Sequence, residues 1–273
     1  MNLTGVQRDL TYCIANGIEL KMDIYFPSPM PSMPGPATIY VHGGSWRGGD
    51  KTQGEGTMEV PDLTRRGYVV AAVNYRLAPK YKFPAQIEDV KCAVRYLRAN
   101  ADLLRIDPNR IGAWGGSAGG HLVALAGLAG PTAGFEGNGG FGNTSSRVQA
   151  VVDFFGPADL TRADFAENHA EVYRNVFGLT SREDPILKRA SPVTYVSKDS
   201  PPFLLVHGSE DKMVLPNQSE ELYSQLKGAG VPASLVIVRN GGHGFIPAGG
   251  PINPNHEEIV KMVGDFFDKY LRQ

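Results

Sequence analysis

The chain of 273 residues is 42% hydrophobic and carries a formal net charge of −1. Its length suits one large α/β domain or two small ones, with enough apolar residues for a sizeable core. Charge this balanced, with no block of one sign, argues against nucleic acid or an anionic membrane surface as a partner. No run of about 18 apolar residues exists to span a membrane. The opening residues M-N-L-T-G-V-Q-R-D-L have neither a basic nor an apolar signal region. A cytoplasmic location is therefore expected, with a secreted or periplasmic one as the alternative for a trimmed mature form. The two cysteines, Cys13 and Cys92, lack metal-ligand spacing and are read as free thiols, one disulfide being the alternative.

Residues 8–14 and 18–26 read as a hairpin about Ala15-Asn16-Gly17, because Asn-Gly favours the φ > 0 positions of a tight turn. Leu20, Met22, Ile24 and Phe26 alternate with polar neighbours, the period of a half-exposed strand. The proline-dense residues 27–36 can hold neither a helix nor a central strand. A short buried strand over 37–41 runs into His42-Gly43-Gly44-Ser45-Trp46-Arg47-Gly48-Gly49. A helix is expected over 52–66, ending at Gly67, then a strand over 68–73. The loop Asn74-Tyr75-Arg76-Leu77-Ala78-Pro79 leads to a helix over 85–100, with Ile87, Val90, Val94 and Leu97 on one face. Residues 106–110 read as a turn.

The next stretch is Gly115-Gly116-Ser117-Ala118-Gly119, which fits G-x-S-x-G between an apolar run (111–114) and a small-residue helical run (118–129). Residues 130–147 are glycine-rich, without periodicity, and long for a structureless connection, so a functional flap is expected there. Strands over 148–155, 202–206 and 234–238 follow, with helices over 215–228 and 254–271 and an irregular insertion over 160–196. The expected fold is one α/β domain spanning 1–273. Its sheet is mostly parallel with an N-terminal antiparallel hairpin, helices cover both faces, and lid insertions lie at 130–147 and 160–196. Ligand sites of such sheets lie at the carboxyl ends of the strands.

Strand, sharp turn and helix around Ser117 is the geometry that exposes a nucleophile; an ordinary N-cap serine in a glycine-rich turn is the plain alternative. A serine hydroxyl needs a base, usually a histidine held by a carboxylate. Of the six histidines, His243 lies in a flexible loop directly after the last strand, on the same sheet edge as Ser117. His42 is expected to order its own glycine loop, and His121 lies on the wrong side of the turn. His207 reads as structural, and His169 and His256 as solvent-facing. Asp211, in the loop after strand 202–206, is the expected carboxylate; Glu210 should diverge from it, and Asp159 is the competitor. The order Ser, Asp, His, with a glycine loop at the same edge, makes a nucleophile the stronger reading.

These motifs, with Gly208-Ser209-Glu210-Asp211 and Gly242-His243-Gly244, resemble the α/β-hydrolase-fold carboxylesterases near the hormone-sensitive-lipase-like group. They come nearest to its bacterial acetyl-xylan and feruloyl esterase branch. The likeness runs from about residue 37 to 245. Two departures stand out: Ser45 replaces a third glycine, and a long N-terminal cap like that of the lipase-like group is not expected. The resemblance implies catalytic Ser117, Asp211 and His243, and an oxyanion hole from the N–H groups of Gly44, Ser45 and Ala118, with Gly43 in reserve. It implies no metal and no organic cofactor, and a small-molecule ester or esterified carbohydrate as partner; a homodimer is an open possibility. Trp46 and Tyr75, in loops beside the hole, are expected to bind substrate as aromatic walls for a flat acyl group. Rival readings are an amidase like kynurenine formamidase, and a ligand-binding homologue that has lost catalysis.

Overall fold

The computed structural model describes residues 3–181 and 183–272. In chain order the elements are β1 (Val6–Ala15), β2 (Ile18–Tyr25), β3 (Gly35–Val41), α1 (Glu59–Arg65), β4 (Val69–Val73), α2 (Ala85–Ala99) and α3 (Ala101–Leu104). Then come β5 (Ile106–Gly116), α4 (Ala118–Leu128), β6 (Ala150–Phe154), α5 (Ala163–Asn168), α6 (Ala170–Val172) and α7 (Pro185–Ala190). The chain closes with β7 (Phe203–Gly208), α8 (Asn217–Gly228), β8 (Ala233–Val238) and α9 (His256–Leu271). The strands form one sheet in the order β1-β2-β4-β3-β5-β6-β7-β8. β1 pairs with β2, and β2 with β4, in antiparallel sense. Every later pairing is parallel. The expected hairpin and parallel sheet are both present.

The parallel strands read as unbroken apolar runs because both of their faces are covered. Along β4, Val69, Ala71 and Val73 enter one core while Val70 and Ala72 enter the other. The first core is roofed by α2, α4 and α8 through Val90, Leu97, Leu122 and Leu226. The second is roofed by α1 and α9 through Leu63, Val263, Phe267 and Leu271. α9 starts with a reciprocal cap: the Asn255 side chain accepts from the Glu258 N–H, and the Glu258 carboxylate accepts from the Asn255 N–H. The expected helix over 52–66 forms only from Glu59. Before it, Tyr40 and Trp114 donate to the carbonyls of Gln53 and Gly56, which diverts that backbone from a helical ladder.

Two expectations are corrected here. Cys13 on β1 and Cys92 on α2 are not free thiols; they form a disulfide, with Cα atoms 6.4 Å apart and a sequence separation of 79. Residues 130–147 do not cover the nucleophile. They lie along α2, where the nearly fully buried Lys91 and Arg95 both pair with Glu136, at 2.9 and 2.8 Å. Phe135 fills a buried site against Phe83 and Tyr195. Unpaired cations inside a protein are costly, so the Glu136 carboxylate draws this stretch onto the helix face. The insertion at 160–196 does approach the strand ends: Glu171 pairs with Arg47 at 3.2 Å, and the Val176 carbonyl accepts from the Phe83 N–H.

Candidate active site

Ser117 stands between β5 and α4 with φ 56° and ψ −120°. A β-carbon in the left-handed region costs about 1–3 kcal/mol and persists only where its surroundings enforce it. Here the Ser117 N–H donates to the Phe154 carbonyl at 2.8 Å, and its carbonyl accepts from the His121 N–H at 3.0 Å. Gly119 permits the turn, since a β-carbon there would collide with the carbonyls of Val41 and His42. Ser117 thus stands at the N-terminus of α4, where backbone N–H groups have no intrahelical partner.

Asp211 follows β7 and His243 follows β8, on the same sheet edge. His243 Nδ1 lies 2.8 Å from Asp211 Oδ2, and its Nε2 lies 3.0 Å from Ser117 Oγ. The second Asp211 oxygen accepts from the N–H groups of Met213 and Val214, both at 2.9 Å. His207 Nε2 adds a contact to Oδ2 at 3.4 Å. Burial pushes the Asp211 carboxyl up, but hydrogen bonds from His207, His243 and Val214 outweigh it and hold the group well below the ordinary carboxylate range. With Asp211 ionised, the hydrogen-bond network assigns the imidazole proton of His243 to Nδ1, leaving Nε2 to accept from the serine hydroxyl. Glu210 turns away to Ser209, and Asp159 spends one oxygen on the backbone and hydroxyl of Thr161. Neither competes for His243.

The loop after β3 crosses in front of Ser117, with the Gly43 backbone against the serine side chain. Its path is left-handed at three consecutive residues: Gly44 at φ 109°, Ser45 at 54° and Trp46 at 58°. The Gly44 carbonyl folds the loop back by accepting from the N–H groups of Arg47 and Gly48, both at 3.0 Å. Among the described residues no acceptor is found for the N–H groups of Gly44, Ser45 or Ala118. His42 orders the loop as expected: its ring stacks on Tyr75 at 4.4 Å, and its carbonyl accepts from the Tyr75 hydroxyl.

Ser117 and His243 line a cleft of about 360 Å³, bounded by residues 42–45, Gly49, Gln53, Gly54 and Met213. Trp46 and Tyr75, expected as its aromatic walls, do not reach it. They are 3% and 4% exposed, because each ring sends its polar atom to a buried acceptor: the indole N–H to His121 Nδ1, the phenol to the His42 carbonyl. Gln53 and Met213 are the wall residues that sequence reasoning missed. Met213 had a faint signal, two positions beyond Asp211; Gln53 had none. His169, expected to face solvent, is half-buried: its ring stacks on Phe165 at 4.2 Å. A larger cavity, of about 540 Å³, lies between residues 126–147 and 195–200 and contains none of these groups.

Parallel sheet, serine elbow and the two loops beyond it define an α/β-hydrolase. The family model BD-FAE matches residues 22–226, and the chain belongs to that family. It is 33% identical to Esterase LipC of Mycobacterium tuberculosis over 82% of this chain and 56% of LipC. It is 34% identical to Esterase LipQ of the same organism over 92% of this chain and 59% of LipQ. The chain thus spans little more than half the length of these curated relatives. Among solved structures, a truncated carbohydrate esterase from gut microbiota superimposes with a TM-score of 0.83 at 30% identity, covering 99% of this chain and 98% of that one. A thermophilic esterase of Thermogutta terrifontis with propionate bound gives 0.80 at 25% identity, covering 98% and 96%. Among the described residues no helix is long and apolar enough to cross a membrane.

Proposed function

We propose that the protein is a serine carboxylic ester hydrolase for short-chain acyl esters, those of acetylated carbohydrates included. The observation that carries this reading is the continuous relay from Ser117 through His243 to Asp211, at 3.0 and 2.8 Å. Ser117 Oγ attacks the ester carbonyl while its proton passes to His243 Nε2. Asp211 stabilises the imidazolium, which then protonates the leaving alcohol. Water, deprotonated by the same imidazole, clears the acyl-enzyme. The N–H groups of Gly44, Ser45 and Ala118 hold the developing oxyanion.

A cleft lined by Gly43, Gly44, Gly49 and Gly54 and by polar side chains, with Met213 as its one large apolar side chain, offers little apolar surface. Each buried methylene of a substrate is worth about 0.8 kcal/mol, so long acyl chains gain little from it. The burial of Trp46 and Tyr75 weighs against cinnamoyl and other aromatic acyl groups and in favour of acetyl. Named relatives that are esterases, and a carbohydrate esterase among the structural neighbours, support the same class. The Cys13–Cys92 disulfide supports an oxidising compartment over the cytoplasm.

The first prediction tests the relay. Ser117→Ala keeps the fold and loses about 10⁴-fold or more of kcat/KM on phenyl acetate, and a phosphonate labels only the wild type, at Ser117. Asp211→Asn costs far more than Asp159→Asn. An alanine variant with a tenth of the activity removes Ser117 from the mechanism. A kcat/KM that peaks at octanoyl esters or longer removes the short-chain assignment, and preference for a formyl amide favours the amidase alternative.

A further inference from the structure

His121 takes no part in the relay, yet it is fully buried one helical turn beyond Ser117. Both ring nitrogens are engaged. Nε2 lies 2.8 Å from the Ala190 carbonyl, and Nδ1 lies 3.2 Å from Nε1 of Trp46. A carbonyl can only accept and an indole N–H can only donate. One state satisfies both: neutral imidazole with its proton on Nε2. Burial favours the same state, pushing the imidazole down to about 4.

The Trp46 end matters because of where Trp46 sits. Its backbone closes the left-handed run Gly44, Ser45, Trp46, at φ 109°, 54° and 58°. Two of these are not glycine, and such conformations persist only when outside contacts enforce them. The indole is that contact, set edge-on to the His121 ring with centroids 5.0 Å apart. The Trp46 carbonyl is also held, accepting from the Ala78 N–H at 2.9 Å. The loop donors, Gly44 and Ser45, are thereby tied to the helix that carries the third donor, Ala118.

From this geometry we infer that His121 is a positioning residue for the oxyanion hole: its Nδ1 holds the Trp46 indole and so fixes the Gly44 and Ser45 N–H groups relative to Ser117 and Ala118. The inference rests on the ester-hydrolase reading above. Oxyanion donors act on the transition state and must sit within a few tenths of an ångström, so a slack loop lowers kcat and leaves KM little changed.

Two isosteres separate the two ends of the ring. His121→Asn places its amide oxygen where Nδ1 was, keeping the Trp46 acceptor and losing the bond to Ala190. His121→Gln places its amide nitrogen where Nε2 was, keeping Ala190 and losing the Trp46 acceptor. Trp46→Phe removes the donor with His121 intact, and stays informative if a His121 variant fails to fold. On phenyl acetate, His121→Gln and Trp46→Phe each lower kcat about 10- to 100-fold with KM within about twofold, the range seen when an oxyanion donor is misplaced. His121→Asn stays within about fivefold of wild-type kcat, although its Tm falls. The double variant His121→Gln/Trp46→Phe is no worse than either single one, because both break the same bond. Folded His121→Gln and Trp46→Phe variants with wild-type kcat overturn the inference. So do Asn and Gln variants that lose kcat in step with Tm, which marks a merely packed histidine. If the wild-type protein hydrolyses no ester and is not phosphonylated at Ser117, it is the underlying reading that fails.

Discussion

Residues 130–147 and residues 160–196 are both long and irregular, and they are held by different means. The first is clamped to α2 by buried charge and lies beside the Cys13–Cys92 disulfide, where Ile14 and Arg95 donate to the carbonyls of Gly139 and Gly140. The second meets the Gly44 loop through an exposed ion pair, Arg47–Glu171, and through Phe177 against Trp46 at 6.5 Å. One is fastened by two buried cations to a partly exposed carboxylate and touches none of the relay residues. The other is anchored in the first core by buried residues such as Val176 and Leu187, and its exposed side meets the loop that flanks the cleft. Irregular chain serves stability in the first case and access in the second, and the discriminating feature is the partner each stretch finds.

The sharpest way to break this contrast is to loosen the α2 side. Cys13→Ser/Cys92→Ser opens a loop of 79 residues, worth about 4.5 kcal/mol on the chain-entropy account. A large fall in Tm with unchanged kcat/KM is expected; a comparable fall in kcat/KM would tie that side to the site. Glu136→Gln strands two buried cations and costs about 2–3 kcal/mol, reduced from the fully buried case because Glu136 is 32% exposed. Burial pushes the Glu136 carboxyl up, but Lys91, Ser146 and Arg95 outweigh it and hold the group below its ordinary 4.5. A depressed carboxylate stabilises the fold above its unfolded value and loses that contribution as pH falls. The stability gap between wild type and variant is therefore full at pH 7 and narrows below about 4.5, which urea titrations at several pH values read directly. Glu171→Gln gives the smallest effect, about 0.5 kcal/mol in stability for an exposed pair, with a twofold to threefold rise in KM. A KM unchanged within error would remove the rim role from this insertion.

The sheet, the serine elbow and the loops bearing Asp211 and His243 were legible because each rests on local chemistry: apolar runs, glycine turns, order along the chain. What escaped the sequence depends on contacts between distant segments. The Cys13–Cys92 pairing joins a hairpin to a helix across 79 residues, and no spacing announces it. Trp46 and Tyr75 looked like exposed loop aromatics because nothing local reveals the acceptors on His121 and His42 that draw them inward. Residues 130–147 looked like a flap because the cations that capture Glu136 lie about 40 residues upstream, on α2, and read there as an ordinary charged face.

The two cores close at different moments in the life of the chain. β3 is made early, yet the face that carries Tyr40, Val70, Ala72 and Trp114 is roofed partly by α1 and partly by α9, an element made some two hundred residues later. At about 5–20 residues per second, the ribosome needs tens of seconds or so to travel from β3 to α9. For that interval a nascent chain shows water the part of this apolar surface that α9 alone will cover. The burden of keeping it soluble falls on whatever holds unfinished chains in the cell, and substitutions in α9 should register first as lost yield during synthesis.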